Sequence, residues 1–406
     1  MFTSYGVPYF NRLNRGIVQS RIPRLLSNRS RFALEEAVPS PTDVSAQNPQ
    51  ITKATFNVPV KIESNDLLFT LRSDSLSNIT NVVAWLQGSN RLNGRSVSSP
   101  AFNGLLRFTS TRVNFVQPGM PRNVANANNL AFASEINPTS SMWMGFVDQQ
   151  VDGSAPSGQT VSFVGTSSAH LTTAQPGDYF DNGSIQHLSH NIQDLAQFYA
   201  NNATDQETFS ERVQYMFRSK TNAGAPGLPF PQDPNDAFTN GGGLGAPTGG
   251  TAQQQQSAFL DNINFGPNDQ ATNFDPAVTD HHKYRVGHLC GLQRSSRAAD
   301  GTPLHIRNDG PGFNSLDVPG GSQQPTLEFT VFVPTADFFR VMRINSASLD
   351  YVKADGAGGT ATSVAAGEEA ADDSDDGLER FLTATRRQNF LVPPRRHRAF
   401  PLVELP

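Results

Sequence analysis

The feature that most limits the fold is an order of segments that occurs twice along the chain. In the first half, Asp66–Ser73 has the composition of a buried strand, Ser75–Gly88 has a helical pattern, and Leu105–Val116 alternates in part like a long strand. The apolar residues of the helical segment recur at helical spacing, namely Ile79, Val82, Val83 and Leu86. Strand–helix–strand order predicts an α+β fold, with antiparallel sheets covered by helices on one face.

The same order returns after residue 183. The predicted elements are strands at Gly183–His190 and Leu327–Val333, and helices at Asn191–Tyr199, Gln206–Phe217 and Gly377–Thr385. A further helix is predicted to start at Thr335, which is a suitable N-cap residue. The repeated order predicts two similar domains, residues 1–165 and residues 166–406.

Two stretches have the composition of loops. Residues 221–258 are rich in Gly, Pro, Asn and Gln, and residues 354–376 are rich in Gly and Ala and then acidic. Neither stretch can bury much apolar surface, so both are predicted to be mobile insertions in the second domain.

Charge and cysteine content exclude several classes of protein. The net charge of −5 argues against nonspecific nucleic-acid binding, which needs dense positive charge. The single cysteine, Cys290, excludes an intrachain disulfide framework and a multi-cysteine metal site. No apolar run reaches 18 residues, so no membrane span is predicted. Met1–Phe10 does not have the pattern of a signal peptide, which leaves a cytoplasmic protein or one exported from a longer precursor.

Four groups of short segments carry a family pattern when they are taken in order. They are Met144–Asp148 (MGFVD); Gly183-Ser184 with Phe217–Lys220 (FRSK); Gly287–Leu289 (GHL) with Leu304–Asp309 (LHIRND), Pro311 and Phe313; and Leu378–Phe381 (LERF) with Phe390–Pro394 (FLVPP). In this order they resemble a divergent branch of the dye-decolourising (DyP-type) haem peroxidases. The pattern spans roughly residues 144–394, and no single segment is specific by itself.

The resemblance implies two ferredoxin-like domains of the dimeric α+β barrel type, with a haem b in the second. By position in the pattern, His288 would ligate the iron, and Asp148 and Arg307 would lie above the haem as catalytic and cofactor-binding residues. Arg218 would reach a haem propionate. Three features depart from the family: Gln149 replaces a glycine, Asn308 and Asp309 stand in swapped order, and a first strand and helix before Phe2 are not present.

The chemistry explains why these residue types are needed. A peroxidase haem needs one axial ligand, commonly a neutral imidazole, and one open face. On that face a carboxylate such as Asp148 can move a proton between the two peroxide oxygens. A guanidinium such as Arg307 keeps the carboxylate ionised and stabilises charge on the departing oxygen.

Other interpretations of these residues stay open. His305 is the second choice for the iron ligand, and Asp148 is also of a type that caps turns. The pairs His187/His190 and His281/His282 raise the alternative of zinc, although a third ligand at suitable spacing is missing. The aromatic candidates for electron relay are also typical core residues, namely Trp85, Trp143, Tyr199 and Tyr215.

The sequence therefore predicts an enzyme that reduces hydrogen peroxide and oxidises a small organic or dye-like donor, with a homo-oligomer left open. Two alternatives remain. One is a haem-binding protein of the same fold with little peroxidase activity, which the Gln149 departure favours. The other is a non-haem structural or secreted module, which the low apolar content and long polar loops favour. Fold analogy alone does not decide among them.

Overall fold

The fold was analysed in a computed structural model of the 406-residue chain. The residues that the structure describes are 1–25, 28–39, 43–46, 52–98, 104–136, 138, 140–144, 162–163, 172–200, 306–336, 352–353, 362–363 and 381–406. Among these residues, no helix has the length and hydropathy needed to cross a membrane.

The strands and helices are as follows. The strands are β1 (Phe2–Tyr5), β2 (Lys61–Ile62), β3 (Leu67–Thr70), β4 (Arg91–Leu92), β5 (Arg95–Ser96), β6 (Ser184–Gln193), β7 (Ile306–Arg307), β8 (Gly310–Asn314), β9 (Gln324–Val333), β10 (Val352–Lys353), β11 (Thr362–Ser363) and β12 (Leu382–Val392). The α-helices are α1 (Val7–Asn11), α2 (Arg15–Arg21), α3 (Leu76–Ala84), α4 (Met120–Ala127) and α5 (Leu195–Tyr199).

One large sheet contains strands from both ends of the sequence. Its order is β3-β1-β12-β6-β9-β7, with β8 also paired to β9 and β2 paired in parallel to β12. All other pairs in the sheet are antiparallel. The four positions β12, β6, β9 and β7/β8 have the order 4-1-3-2, which is that of the ferredoxin-like fold. The predicted α+β class with an antiparallel sheet is confirmed.

The central strand β6 is buried along almost its whole length, although seven of its ten residues are polar. Nine of its ten residues are buried, and β12 and β9 flank it on the two sides. The sequence prediction ended this strand at His190 and began a helix at Asn191. The strand instead continues to Gln193, because the ladders to β9 and β12 include Asn191 and Ile192. The helix starts only at Leu195, where the Asp194 carboxylate accepts a hydrogen bond from the Gln197 amide.

Two apolar clusters pack around the sheet. The larger cluster joins β1, α1 and α2 to β6, β9 and β12, and its most buried members are Leu25, Phe163, Phe180, Ile185, Val331, Val333 and Leu391. The second cluster lies around α4 and α5, and it includes Ala125, Ile136, Trp143, Leu195, Phe198 and Phe381. Burying apolar area of this kind is the main stabilising term of a folded domain.

Several element predictions are confirmed and two are wrong. The predicted strands near 66–73, 183–190 and 327–333 and the helix near 75–88 are present as β3, β6, β9 and α3. The prediction of a strand at Leu105–Val116 is wrong, because the described residues of this segment run irregularly. The segment contacts the sheet through a hydrogen bond from the Phe115 backbone N–H to the Pro311 carbonyl oxygen. The helix predicted at Gly377–Thr385 is wrong from Leu382 onwards, where β12 begins.

The remaining predicted elements lie partly or wholly outside the described residues. A helix starts at Ala336, directly after Thr335, and its later residues lie outside the described part. The predicted helix Gln206–Phe217 and the insertion 221–258 also lie outside it, as does the insertion 354–376 apart from β11. The division into domains at residue 165 stays a prediction.

Candidate functional site

The described residues line a cavity of about 1800 Å³. Its walls come from β3, the irregular segment 104–116, the Ser141–Met144 segment, β6, β9 and the residues that follow β7. Small-molecule pockets commonly measure about 300–1000 Å³. The cavity is therefore large enough for a cofactor of tetrapyrrole size.

Arg307, the predicted distal arginine, lies in the wall of this cavity. It ends the short strand β7, where it pairs with Val331 of β9. Asn308 and Asp309 line the same cavity, and the Asn308 amide donates to the Thr330 carbonyl at 2.8 Å. The backbone around Arg307 is thus fixed to the sheet by regular strand pairing.

The segment that leads into Asp148 reaches the same cavity. Trp143 and Met144 line it, and both side chains are buried. The indole Nε1 of Trp143 donates to the Gly312 carbonyl of β8 at 2.8 Å, and the Tyr199 hydroxyl donates to the Trp143 carbonyl at 2.8 Å. Two predicted site segments, far apart in sequence, are therefore joined through β8.

Most of the predicted site residues lie beyond the described ranges, and Arg307 is the exception. Asp148, His288 and Arg218 lie outside the described residues, as do the alternatives His305, His281 and His282. Of the predicted catalytic and cofactor-binding residues, Arg307 alone falls within the described part. The roles assigned to the others stay predictions.

His187 and His190 are both fully buried on β6. The His187 ring nitrogens contact Asn389 Oδ1 at 2.7 Å and Ser189 Oγ at 3.2 Å. Residues three apart on a strand point to opposite faces, so these two rings do not converge on one metal ion. The described part of the chain contains no cluster of three side chains suited to hold a metal.

Beside the cavity lies a buried ion network that the sequence analysis missed. Arg112 Nη2 lies 2.6 Å from Glu63 Oε2, and Arg386 Nη1 lies 3.2 Å from Glu63 Oε1. Arg386 also forms two hydrogen bonds to the Asp317 carboxylate, at 2.6 and 2.7 Å. Arg112 Nη1 lies 3.9 Å from Glu328 Oε2. These residues come from distant segments, so no local motif marks them.

The network shifts the proton affinities of its members. Burial alone would raise the pKa of Asp317, but the hydrogen bonds and charge of Arg386 outweigh burial and hold that pKa below its ordinary value. A hydrogen bond from Thr385 and the electrostatic influence of His190 act in the same direction. The hydrogen bond to Asp317 in turn raises the pKa of Arg386.

A second polar cluster surrounds Tyr179, away from the cavity. The Tyr179 hydroxyl donates to the Glu404 carboxylate and accepts a bond from the Leu402 amide at 3.0 Å. The His397 ring stacks on Tyr179, with centroids 3.7 Å apart, and its Nδ1 lies 3.1 Å from Glu404 Oε1. Burial, followed by the hydrogen bond to Glu404, raises the pKa of Tyr179 to about 12.

Comparison with known sequences gives little about function. The model of a family of unknown function, DUF7405, matches residues 31–225, which is slightly less than half of the chain. No curated protein matches the chain.

Comparison with solved structures finds similar peroxidases at low identity. A variant of DypB from Rhodococcus jostii RHA1 in complex with heme is 11% identical with a TM-score of 0.45, covering 97% of this chain and 79% of that chain. A putative DyP-type peroxidase from Shewanella oneidensis is 14% identical with a TM-score of 0.42, covering 97% and 78%. A dye-decolorizing peroxidase from Bacteroides thetaiotaomicron is 12% identical with a TM-score of 0.39, covering 97% and 78%. Likeness at this level assigns no activity to this chain.

Proposed function

We propose that the protein is a haem-dependent peroxidase that reduces hydrogen peroxide and oxidises a small organic or dye-like donor. One observation carries the proposal. The strand that bears Arg307 and the segment that leads into Asp148 line the same cavity, and the Trp143–Gly312 hydrogen bond joins that segment to β8, the strand that follows Arg307 in sequence. Peroxide chemistry needs a carboxylate and a guanidinium on one open face, and this arrangement supports that requirement.

The described walls of the cavity suit a haem. They combine apolar rings, such as Phe69, Phe108 and Phe329, with the cationic Arg307. A haem is an apolar, planar group with two propionate carboxylates. Its plane would pack on the apolar rings, and arginine is well suited to bind its carboxylates. In this proposal His288 would bind the haem iron and Arg218 would bind a propionate. When bound, the haem would supply the redox chemistry.

The remaining work falls to the side chains of this chain. Asp148 would accept a proton from one peroxide oxygen and deliver it to the other. Arg307 would keep Asp148 ionised and would stabilise the negative charge that develops on the departing oxygen. The strand pairing of β7 with β9 would hold that guanidinium in a fixed position.

The test is an absorption spectrum of the purified, haem-reconstituted protein before and after peroxide, beside His288→Ala. A Soret band that shifts with peroxide, and that is lost or altered in the variant, would support both the activity and the ligand. Arg307→Leu should lower kcat roughly 10²–10³-fold, as loss of one charge-stabilising donor does. The matched control is Arg95→Leu, an exposed arginine on β5 outside the cavity wall, which should leave the rate unchanged.

Other outcomes would replace the proposal. A Soret band that peroxide leaves unchanged would indicate a haem-binding protein without turnover. A wild-type chain with no band, and with folding confirmed by circular dichroism, would indicate a non-haem structural module. Equal losses in Arg307→Leu and Arg95→Leu would remove the assigned role of Arg307.

A further inference from the structure

While Glu328 is ionised, both ring nitrogens of His190 face groups that accept hydrogen bonds and cannot donate them. Nδ1 lies 2.7 Å from Oε1 of Glu328, and Nε2 lies 3.2 Å from the backbone carbonyl oxygen of Leu316. The ring is fully buried and is not exposed to bulk solvent. A neutral imidazole carries one N–H and can satisfy only one of these acceptors, whereas an imidazolium satisfies both.

His187 supplies the contrast on the same strand. Its ring is equally buried, but one of its partners is the Ser189 hydroxyl, which can donate as well as accept. A neutral His187 therefore donates to Asn389 Oδ1 and accepts from Ser189 Oγ. The two buried histidines differ in the chemistry of their partners and not in their exposure.

With Glu328 ionised, the charges around His190 balance when the ring is protonated. The anions are Asp317, Glu63 and Glu328, and the cations besides His190 are Arg386 and Arg112. Three carboxylates and two guanidiniums leave one negative charge, which is costly to bury without a counter-charge. A protonated His190 brings the network to neutrality.

The position of the network gives this proton a structural role. Glu63 and Arg112 belong to the first half of the sequence, whereas His190, Glu328 and Arg386 lie side by side on β6, β9 and β12. Asp317 lies in the turn after β8, next to the Leu316 carbonyl that His190 contacts. Glu63, Arg112 and Glu328 also line the cavity.

We infer that His190 is held as an imidazolium and acts as a proton switch at the contact between residues 63–112 and the strands β6, β9 and β12. Loss of its proton leaves a ring nitrogen lone pair facing an acceptor, and it leaves the buried network with an excess negative charge. The contact is therefore stable while the proton is bound, and it is destabilised when the pH rises far enough to remove that proton. This inference does not depend on haem binding.

The direct test is an NMR measurement of histidine protonation in the full chain labelled with ¹⁵N-histidine. At pH 8 a histidine with the ordinary pKa of about 6.5 is neutral. We expect one of the eight histidines to keep two protonated ring nitrogens at that pH, and His190→Gln should remove its signals. A neutral ring with a bare Nδ1 at position 190 would overturn the inference, including the case in which Glu328 holds the proton.

Glu328→Gln keeps the test available where His190→Gln does not fold. It removes the carboxylate while preserving side-chain size, so His190 should become neutral at pH 8. His187→Gln is the matched control, because it removes a buried histidine of the same strand and should leave the imidazolium signals in place. If His190 stayed an imidazolium in Glu328→Gln, the Glu328 carboxylate would not be the group that stabilises the protonated ring, and the inference would be contradicted.

Thermal unfolding supplies an independent readout. Between pH 7 and pH 9, the Tm of the wild-type chain should fall by about 2–4 °C more than that of His190→Gln, which corresponds to the loss of one modest buried interaction. His187→Gln should follow the wild-type slope. Parallel pH slopes for the wild type and His190→Gln would contradict the switch.

Discussion

At the scale of single residues, two ion pairs of the same length lie in opposite surroundings. Glu63 and Arg112 are 2.6 Å apart, with side chains only 6% and 7% exposed. Asp66 and Arg12 are also 2.6 Å apart, but their side chains are 39% and 70% exposed. Water and salt screen the exposed pair, whereas the buried charges depend on each other for solvation.

Glu63→Gln should therefore destabilise the protein strongly. The change leaves the Arg112 charge without its nearest carboxylate and takes one carboxylate from Arg386, and breaking a buried pair costs about 3–5 kcal/mol. Urea unfolding at neutral pH measures the loss. Asp66→Asn is the matched control and should cost much less, because its pair is exposed. Equal losses for the two variants would contradict the assigned difference in burial.

Tyr179 offers a prediction about alkaline pH. Its pKa of about 12 depends first on burial and then on the bond to Glu404, so Glu404→Gln should lower that pKa. Because the folded pKa lies above the unfolded value of about 10, the stability that Tyr179 contributes is present below pH 10 and is lost as the pH rises toward 12. Absorbance at 295 nm follows the titration, and Tyr179→Phe assigns it. Glu36→Gln, an exposed carboxyl elsewhere, should change nothing.

At the scale of elements, the sequence predicts apolar strands well and polar strands poorly. Leu327–Val333 is apolar and aromatic enough to be recognised as β9. Leu382–Val392 contains two arginines, a glutamine and an asparagine, which look like a solvent-facing segment until their buried partners are known. Those partners include Asp43, Glu63, Asp317, Asn65 and His187, and no local pattern reveals them. The prediction for Leu105–Val116 is wrong for the opposite reason. Its alternating pattern is typical of a strand, but a strand also needs a neighbouring strand to pair with, and the pattern does not provide one.

The contact between β8 and residues 113–116 depends on glycine at position 312. A Cβ there would lie 2.6 Å from Thr326 Oγ1 and 2.9 Å from the Val113 carbonyl oxygen. Gly312→Ala should therefore push the segment away from β8 and destabilise the protein by about 1–3 kcal/mol, as overpacking does. Chemical denaturation measures the change.

The control for this prediction is Gly16→Ala in α2. Its Cβ would approach one side-chain atom, Asn14 Oδ1 at 3.3 Å, so we expect little loss or a gain of roughly 0.5–1 kcal/mol from better helix propensity. A Gly312→Ala variant as stable as the wild type would show that the segment accommodates the methyl group freely.

At the scale of the whole molecule, strands from both ends of the sequence share one sheet. β1 lies between β3 and β12, and β2 also pairs with β12. The predicted division into residues 1–165 and 166–406 thus does not coincide with a boundary of this sheet. The order of the motifs along the sequence predicts Asp148, His288 and Arg307 as the residues of one site. It does not show that the segment before Asp148 contacts β8, the strand after Arg307, through the Trp143 hydrogen bond.

We expect the two halves to unfold in a single transition, because neither half contains the sheet by itself. Tryptophan fluorescence reports on Trp85 and on Trp143, which is buried next to β8, and far-UV circular dichroism reports on the whole sheet. The two probes should give the same urea midpoint. Two separate midpoints would indicate that residues 1–165 and 166–406 are independent units after all.

The pairing of β1 with β12 also bears on how the protein is made. Tyr5 is opposite Leu391, so the two partners leave the ribosome far apart in time. At about 5–20 residues per second, synthesis of the intervening chain takes on the order of 20–80 s. During that interval the β1 edge that later meets β12 has no native neighbour. A nascent chain of this protein should therefore need a chaperone, or a temporary partner strand, until translation is nearly complete.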